Sequence, residues 1–411
     1  MSKNALTELL DLSEAEREKL GVLYTASEIA DQVNLWENSS ERILEKTDQL
    51  LPLIRSSRDA TGGSLMCTGA GTSEFIGYCI EGLLRKRLRL PVNVFSTTRI
   101  VTTPGDIFFE GAQPLLLSFA RSGNSPESIG AVKIAEMNCS SLNHVAVTCN
   151  RDGELFRWAS QRLKAVSVCL HEKTDDRGLA MTSSFTNMLV AGQTIAFLES
   201  AEEYASHLEK LVTAGEALLR KAPDTVDEIS NLDFNRAVFL GNGAIWGTAV
   251  ESHLKLQELT SGQVMCAYET FLGLRHGPEA LIDERTLVVA FLSSDPYLRK
   301  YEEDLLRELM EKGIGMATLV CGQKLDASIR KLIDYAVDFD PEGLLDITDD
   351  LLPPVQVILG QLLGLFKSLK LGLKPDTPSA GGVIHRVVEG VRIYDPLVFS
   401  QTGQFKIIAE R

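Results

Sequence analysis

Four ionisable residues close together in the sequence have the types and spacing that proton transfer requires. Glu251, Lys255 and Glu258 stand at i, i+4 and i+7, and His276 follows in an LRHGP loop. At 3.6 residues per turn, the first three side chains share one face of a helix. Two carboxylates, an ammonium and an imidazole suit proton transfer on a small polar substrate. The alternative is an ordinary surface ion pair between Glu251 and Lys255, with His276 as a surface residue.

The elements that would position these residues are a strand, a helix and a second strand. The apolar run AVFLGNG predicts a buried strand that ends in glycines, and the Glu-Lys-Glu helix follows it. A second apolar run, Val264 to Tyr268, leads into the loop that carries His276. The charged groups are therefore expected around the end of one strand of a sheet.

Two turns earlier in the chain have the composition of an anion site. GAGTSE and ARSGNSP each lie between a predicted strand and a predicted helix. Backbone N–H groups and the dipole at a helix N-terminus favour an anion, and hydroxyls and a guanidinium add donors. Plain helix capping is the alternative, since Ser and Thr are common N-cap residues. The candidate anion-binding residues are Gly71, Thr72, Ser73, Arg121, Ser122 and Ser125.

The order of predicted elements indicates an α/β fold. From Ser64 onward strands alternate with helices, as in parallel sheets covered by helices on both faces. The second half repeats the first at an offset of 172 residues (241 − 69 = 172). We therefore predict two tandem modules, each with a parallel sheet of about five flanked strands. The matched pairs are Gly69 with Gly241, Phe119 with Phe291, and Cys149 with Cys321.

This repeat suggests a division of the chain into five parts. A helical arm (1–60) precedes the first module (61–205), which carries the candidate anion site. A polar linker (206–235) leads to the second module (236–380), which carries the Glu-Lys-Glu helix. A C-terminal tail (381–411) is a candidate for closing the site.

Composition and missing motifs exclude several classes of partner. The net charge of −15 argues against nucleic acid or an acidic membrane surface, because both require a basic face. Neither glycine turn fits G-x-G-x-x-G and no Walker motif occurs, so we expect no nucleotide cofactor. Seven dispersed cysteines without a C-x-x-C pair argue against a disulfide framework or zinc site. With no apolar signal core and no run of about 20 apolar residues, a cytoplasmic protein is expected. We also expect no metal.

Several of these motifs resemble the sugar isomerase (SIS) domain family, whose flavodoxin-like α/β modules often occur in tandem. GAGTS and SGNS are similar to the family's sugar-phosphate clamp, and ESHLKLQE with LRHGPEALID resembles the isomerase half of glucosamine-6-phosphate synthase. Within the family, TGAGTSEFIG, FARSGNSPES, RHGP and PDTPSAGGVIHRVVEGV most resemble the AgaS group. That group is described as tagatose-6-phosphate ketose/aldose isomerases or galactosamine-6-phosphate deaminase/isomerases.

The resemblance implies a role for each motif residue. Glu258 would move a proton between C2 and C1 of the sugar, and Lys255 and Glu251 would tune it. His276 would open the sugar ring, by analogy from the neighbouring subunit of a homodimer. The resemblance places the 6-phosphate on Ser73, Arg121, Ser122 and Ser125, partly through backbone N–H groups.

Departures from the synthase limit what can be carried over. The N-terminal glutaminase is absent, so glutamine cannot be the nitrogen donor and the implied direction is release of ammonia. The synthase's Ser-Thr-Lys motif has its nearest match at Met181-Thr182-Ser183, without the lysine, and Ser183 is a substrate-binding candidate. No lysine matches the one in the synthase's C-terminal tail, where Arg386 is the candidate.

The sequence thus favours an enzyme that converts galactosamine 6-phosphate to tagatose 6-phosphate and ammonia. Three alternatives stay open: a ketose/aldose phosphate isomerase without deamination, a deglycase for fructosamine-type phosphates, and a sugar-phosphate sensor without turnover. Sensors in this family usually carry a DNA-binding helix-turn-helix, which residues 1–60 do not resemble. The expected partners are a phosphorylated amino sugar or ketohexose phosphate and a second copy of the chain.

Overall fold

A computed structural model describes residues 3–379, 381, 386, 390–396, 398, 401 and 403–410. The N-terminal stretch predicted as a helical arm contains five helices. Its apolar residues at helical spacing are buried, namely Ile29, Val33, Trp36, Ile43 and Leu50. The five helices are α1 (Ala5–Leu10), α2 (Glu14–Leu20), α3 (Thr25–Asp31), α4 (Trp36–Leu44) and α5 (Thr47–Asp59).

The first sheet has five parallel strands in the order β2-β1-β3-β4-β5. Its strands are continuous apolar runs because helices cover both faces of a parallel sheet. The elements are β1 (Gly63–Gly69), α6 (Thr72–Leu88), β2 (Val92–Ser96), α7 (Thr97–Thr102), β3 (Gln113–Ala120), α8 (Pro126–Asn138), β4 (Asn143–Thr148), α9 (Glu154–Ser160) and β5 (Ala165–Cys169).

Two helices connect the sheets: α10 (Ser183–Ala196) and α11 (Ala201–Ser230). The stretch predicted as a linker therefore lies largely in α11, a helix of 30 residues. The charged residues of this stretch led to the prediction of a linker, although its apolar residues recur at helical spacing. On this apolar face Leu208, Leu211, Leu218 and Val226 are buried.

The second sheet has the same order of strands as the first, β10-β9-β8-β6-β7, so the predicted pair of parallel five-stranded modules is confirmed. The elements are β6 (Arg236–Leu240), α12 (Ala244–Leu259), β7 (Met265–Glu269), α13 (Phe271–Leu274), β8 (Thr286–Phe291), α14 (Pro296–Lys312), β9 (Ala317–Gly322), α15 (Ala327–Arg330), β10 (Tyr335–Asp338) and α16 (Pro353–Lys370).

Strand pairing supports the internal repeat in part. Leu65 pairs with Leu115 in the first sheet, and 172 residues later Ala237 pairs with Leu287 in the second. The match of Cys149 with Cys321 was wrong. Cys321 pairs with Phe291, whereas the residue that pairs with Phe119 is Val147, so the third offset is 174 (321 − 147 = 174). Counted from the matched Phe119 and Phe291, α14 begins two residues sooner than α8 (126 − 119 = 7; 296 − 291 = 5), and α14 is four residues longer.

The chain forms two compact units that differ from the predicted sequential boundaries. The second-sheet unit comprises Met1–Trp36, Asp176–Thr186 and Glu202–Ile384. The first-sheet unit comprises Glu37–Asp175, Asn187–Ala201 and His385–Arg411. The predicted arm is therefore divided, because α1 bonds to α11 through Asn4 while α5 bonds to β4 through Ser57 and Asn143.

The described part of the C-terminal tail packs on the first-sheet unit. Its strands β11 (Arg392–Tyr394) and β12 (Ile407–Glu410) form an antiparallel pair. Ile393 lies against α8 where Gly130 leaves room, since a Cβ there would come within 2.8 Å of it. Lys133 donates a 2.7 Å hydrogen bond to the carbonyl of Ile408. Much of the PDTPSAGGVIHRVVEGV signature lies outside the described residues.

No helix in the described part of the chain has both the length and the apolar composition needed to cross a membrane.

Candidate active site

Both modules begin their first helix with the same glycine turn. Gly71 and Gly243 are the residues before α6 and α12, with φ of 54° and 56°, a conformation that favours glycine. Gly69 and Gly241 lie so close to the helix that follows that a Cβ would meet its backbone at 2.4 Å. The sequence therefore places the start of each helix directly against the end of its strand.

The predicted charged face of α12 is present and is mostly buried. The Nζ of Lys255 lies 3.3 Å from Oε1 of Glu251 and 2.6 Å from Oε2 of Glu258. Neither the Glu251 nor the Lys255 side chain has exposed surface, whereas that of Glu258 is 32% exposed. A buried cation between two carboxylates is not the solvated ion pair that was the alternative for these residues.

Helix α16 buries this charged row. Two of its glycines lie directly against α12, because a Cβ at Gly360 would come within 2.3 Å of the Ser252 hydroxyl and one at Gly364 within 3.0 Å of the Lys255 carbonyl. Pro353 to Ser368 are all buried, so α16 fits between other elements. The two glycines thus let an apolar helix cover Glu251 and Lys255.

The carboxylates keep Lys255 charged in this setting. Burial alone would lower the pKa of its ammonium, but the charges of Glu251 and Glu258 outweigh it and hold the pKa above its usual value. The half-exposed carboxylate of Glu258 is thereby held by a fixed ammonium. This arrangement can accept a proton from a ligand and return it.

His276, the remaining catalytic candidate, makes its contacts away from the Glu251–Lys255–Glu258 row. His276 follows α13 in an exposed loop, and its backbone N–H donates a 2.9 Å hydrogen bond to the carbonyl of Gly273 in α13. No hydrogen bond or ion pair among the described residues joins it to Glu258. A histidine that the sequence analysis passed over, His253, lies on α12 with its ring 4.5 Å from that of Tyr268, and burial lowers its pKa.

The first-sheet unit contains the predicted anion-binding residues on the turns before α6 and α8. Thr72 and Ser73 open the 17-residue helix α6 and are almost fully buried. Arg121 and Ser122 follow β3, and Ser125 caps α8 by accepting a bond from the N–H of Ser128. The Ser125 hydroxyl lies 3.0 Å from Oε2 of Glu127, its one carboxylate contact among the described residues.

Two distant segments meet at Arg121. Its Nη2 donates a 2.8 Å hydrogen bond to the carbonyl of Arg386, and the Arg386 guanidinium is paired with Asp175. The side chain of Arg121 is almost fully buried. The described tail residue therefore helps to fix the guanidinium predicted to bind an anion. Asp175 was missed because nothing in its neighbourhood in sequence signals a partner 211 residues away.

Ser183 belongs to the second-sheet unit, unlike the other predicted substrate-binding residues. It is the first residue of α10, and its backbone N–H donates a 3.0 Å bond to Oδ1 of Asp176. Asp176 also accepts bonds from the N–H groups of Thr182 and Ser184. The structure thus gives Ser183 a part in the cap of α10.

In the described ranges of the chain, no group of three or more His, Cys, Asp or Glu side chains is arranged to hold a metal ion.

Comparisons with known proteins agree on one family. The chain is 33% identical over 390 residues to the D-galactosamine-6-phosphate deaminase AgaS of Shewanella sp. strain ANA-3, covering 93% of this chain and 95% of that protein. A solved structure from Clostridium novyi NT has a TM-score of 0.91 at 34% identity, covering 96% and 99% of the two chains. The tagatose-6-phosphate ketose/aldose isomerase of Escherichia coli has a TM-score of 0.80 at 32% identity, covering 88% and 96%. No protein-family model matches the chain. The chain belongs to the AgaS family of sugar isomerase (SIS) proteins.

Proposed function

We propose that this chain is an amino-sugar-phosphate deaminase/isomerase that converts galactosamine 6-phosphate and water to tagatose 6-phosphate and ammonia. The observation that carries the proposal is the buried Glu251–Lys255–Glu258 row on α12, in a chain 33% identical to a D-galactosamine-6-phosphate deaminase. A binding protein has no need to bury an ammonium between two carboxylates, because the desolvation of three charges is costly.

The reaction needs one base that serves two adjacent carbons. In the open-chain aldehyde, the Glu258 carboxylate takes the proton from C2, and the electron pair forms the double bond between C1 and C2. The aldehyde oxygen takes a proton from the ammonium group on C2, which gives an enolamine. The same carboxyl group returns the proton to C1, which leaves an imine at C2. Water adds to that carbon, and ammonia leaves as the C2 ketone forms. Lys255 keeps Glu258 oriented through the 2.6 Å contact, and Glu251 balances the charge of Lys255.

The first-sheet unit supplies the proposed site for the 6-phosphate. Ser73 opens α6, and Arg121, Ser122 and Ser125 form the turn before α8. Helix N-termini and a guanidinium are suited to a phosphate dianion. Gly71 and Thr72 complete the first turn. Arg386, whose carbonyl accepts the bond from Arg121, and Ser183 complete the proposed substrate-binding residues. The C-terminal tail is proposed to close the site.

We also propose a homodimer in which His276 acts on the neighbouring subunit's substrate to open the ring. Its exposed position supports this role, since a histidine that serves another subunit must lie at the surface. β7 is an edge strand that exposes Met265 (60%) and Tyr268 (39%), and Leu272 on α13 is 47% exposed. Exposed apolar side chains around an edge strand favour pairing with another copy.

The dispersed cysteines support a cytoplasmic, reducing setting.

The test is ammonia release from the purified protein with galactosamine 6-phosphate, with glucosamine 6-phosphate measured in parallel. Release from the galacto sugar is the expected result. Release from the gluco sugar alone would change the substrate and keep the mechanism. Absence of ammonia with both sugars would refute the deaminase.

A second candidate is ketose/aldose isomerisation of tagatose 6-phosphate without nitrogen loss. It is favoured by the 32% identity to the E. coli protein of that name, and it needs the same proton transfer between C2 and C1. Formation of an aldose phosphate from tagatose 6-phosphate, with no ammonia from either amino sugar, would select this candidate.

A further inference from the structure

The second module has a counterpart of the turn proposed to bind phosphate. In the first module Pro126 opens α8 after Ser125, and in the second Pro296 opens α14 after Asp295. Each turn follows the third strand of its module, at the carboxyl edge where parallel sheets bind ligands. The second turn also carries hydroxyls and backbone donors, on Ser293 and Ser294.

In the second module an aspartate already occupies these donors. The backbone N–H and the hydroxyl of Ser294 donate to Oδ1 of Asp349, at 2.6 Å and 2.7 Å. The hydroxyl of Ser293 donates to Oδ2 of the same carboxylate. Both oxygens of Asp349 therefore accept bonds of the kind that phosphate oxygens accept at such turns.

A second acid completes the arrangement from within α14. Glu302 has no exposed surface, and its Oε2 accepts a 2.9 Å bond from the N–H of Ser293. Its Oε1 accepts a 3.0 Å bond from the side-chain amide of Asn242, on the glycine turn before α12. Both turns of the second module are thus linked to one carboxyl group. Glu302 lies six positions after Pro296. In the first module, the residue six positions after Pro126 is the buried Val132.

We propose that the carboxyl groups of Asp349 and Glu302 occupy the second module's counterpart of the phosphate site and so restrict phosphorylated ligands to the first module, one per chain. This inference rests on the proposed phosphate site of the first module. Asp349 and Glu302 are specificity-determining residues in this sense, because they decide which of two similar turns can receive a phosphate.

Electrostatics gives the physical reason. A phosphate at the second turn would have to displace Asp349 from three hydrogen bonds, and it would then lie beside two acids with no gain in donors. Like charges at such distances repel more strongly away from bulk water than in it. In the first module the Ser125 hydroxyl meets one half-buried acid, Glu127, and Arg121 supplies a positive charge. In the second module the positive charge nearest the turn, Arg299, already lies 3.8 Å from the Glu302 carboxylate.

Space for a phosphate exists beside Ser294. A cavity of about 450 Å³ borders Ser294, and its charged lining comprises Arg299 and Lys324 together with three aspartates, Asp326, Asp340 and Asp346. The Arg299 guanidinium is held against the carbonyl of Ser293. Removal of the Asp349 carboxylate would free the hydroxyls of Ser293 and Ser294 and the N–H of Ser294 at the border of this cavity.

The experiment is equilibrium dialysis of the full chain against radiolabelled inorganic phosphate. We expect one phosphate per chain for the unaltered protein and two for Asp349→Ala. Combining Asp349→Ala with Arg121→Ala should leave one, which isolates the new site. The matched control is Asp346→Asn, which removes a carboxylate from the wall of the same cavity without touching Ser293 or Ser294. It should remain at one phosphate.

Two results would overturn the inference: two phosphates bound by the unaltered chain, or no gain in a folded Asp349→Ala protein. If that variant does not fold, Asp349→Ser keeps an acceptor for the Ser294 N–H and is measured instead, with the same criterion. A failure of the proposed function has a different result. The unaltered chain would then bind no phosphate, while a gain of one in the Asp349 variant would still support the inference.

Discussion

The Nζ of Lys255 lies 2.6 Å from Oε2 of Glu258, and this contact joins a side chain with no exposed surface to one that is 32% exposed. The buried partner fixes the position of the exposed one, because Lys255 is also held by Glu251 and covered by α16. The carboxylate proposed to meet the ligand is thus positioned before the ligand arrives, which is a general requirement of efficient proton transfer.

Glu258→Gln is expected to abolish turnover and keep binding. The amide retains an oxygen that can accept from Lys255, but it cannot take a proton from carbon. We expect ammonia release to fall by about 10²-fold or more, while affinity for galactosamine 6-phosphate changes little. Calorimetric binding and a coupled ammonia assay measure the two effects. Gln257→Ala, on the exposed side of the same helix, is the control and should change neither.

Lys255→Met is expected to destabilise the protein strongly. It leaves the buried carboxylate of Glu251 without its cation, and breaking a buried pair on one side costs about 3–5 kcal/mol. The matched control is Lys300→Met on α14, where a lysine side chain that is 68% exposed also contacts two acids, Glu303 and Asp304, at spacings of three and four residues. Such exposed pairs contribute about 0–1 kcal/mol. Equal losses in urea unfolding would contradict the burial argument.

Mixed dimers test whether His276 serves the neighbouring subunit. Glu258→Gln and His276→Asn should each be inactive alone. If a site combines Glu258 of one subunit with the histidine of the other, co-refolded mixtures regain about a quarter of the activity, since half of the dimers carry one intact site of two. The measurement is ammonia release after mixing, with light scattering to establish the dimer. Mixtures that stay inactive would place both residues of a site on one chain.

The elements of the fold were predictable because their signals are local. Buried parallel strands are continuous apolar runs, and the glycine turns at Gly69 and Gly241 require residues without a Cβ. The match of Cys149 with Cys321 failed because the turn before α14 is shorter than the turn before α8 while α14 is longer than α8, and the two differences in length do not cancel. Similar residues in two stretches of sequence do not by themselves fix the register of a strand. The helix of the predicted linker was missed because charged residues are interspersed among its buried positions.

The contacts between distant residues in the candidate sites could not be predicted from the sequence, for a different reason. Spacing on one helix placed Lys255 with its two carboxylates, and the burial of that row comes from α16, about a hundred residues later. Arg386 and Asp175 are 211 residues apart, and Asp349 lies 55 residues after Ser294. No periodic pattern links residues at such separations, so only the folded chain brings them together.

The buried acid on α14 makes stability depend on pH. Burial, more than any other cause, raises the pKa of Glu302 to about 7, although the Ser293 N–H and the Asn242 amide act to lower it. In the unfolded chain an ordinary glutamate titrates near 4.5. The folded protein therefore binds more protons than the unfolded protein between these values. The contribution of Glu302 is fully present below about pH 4.5 and is lost as pH rises through about 7.

Glu302→Gln removes this dependence. Because one pKa unit corresponds to about 1.4 kcal/mol, the free energy of unfolding of the unaltered protein should fall by on the order of 3 kcal/mol relative to the variant as pH rises from about 5 to 8. Urea unfolding at several pH values measures the difference. Glu303→Gln, at the next position of α14 with its side chain 19% exposed, should follow the unaltered protein. If the Glu302→Gln curve also runs parallel to that of the unaltered protein, Glu302 titrates alike in the folded and unfolded chain, and its burial carries no electrostatic cost.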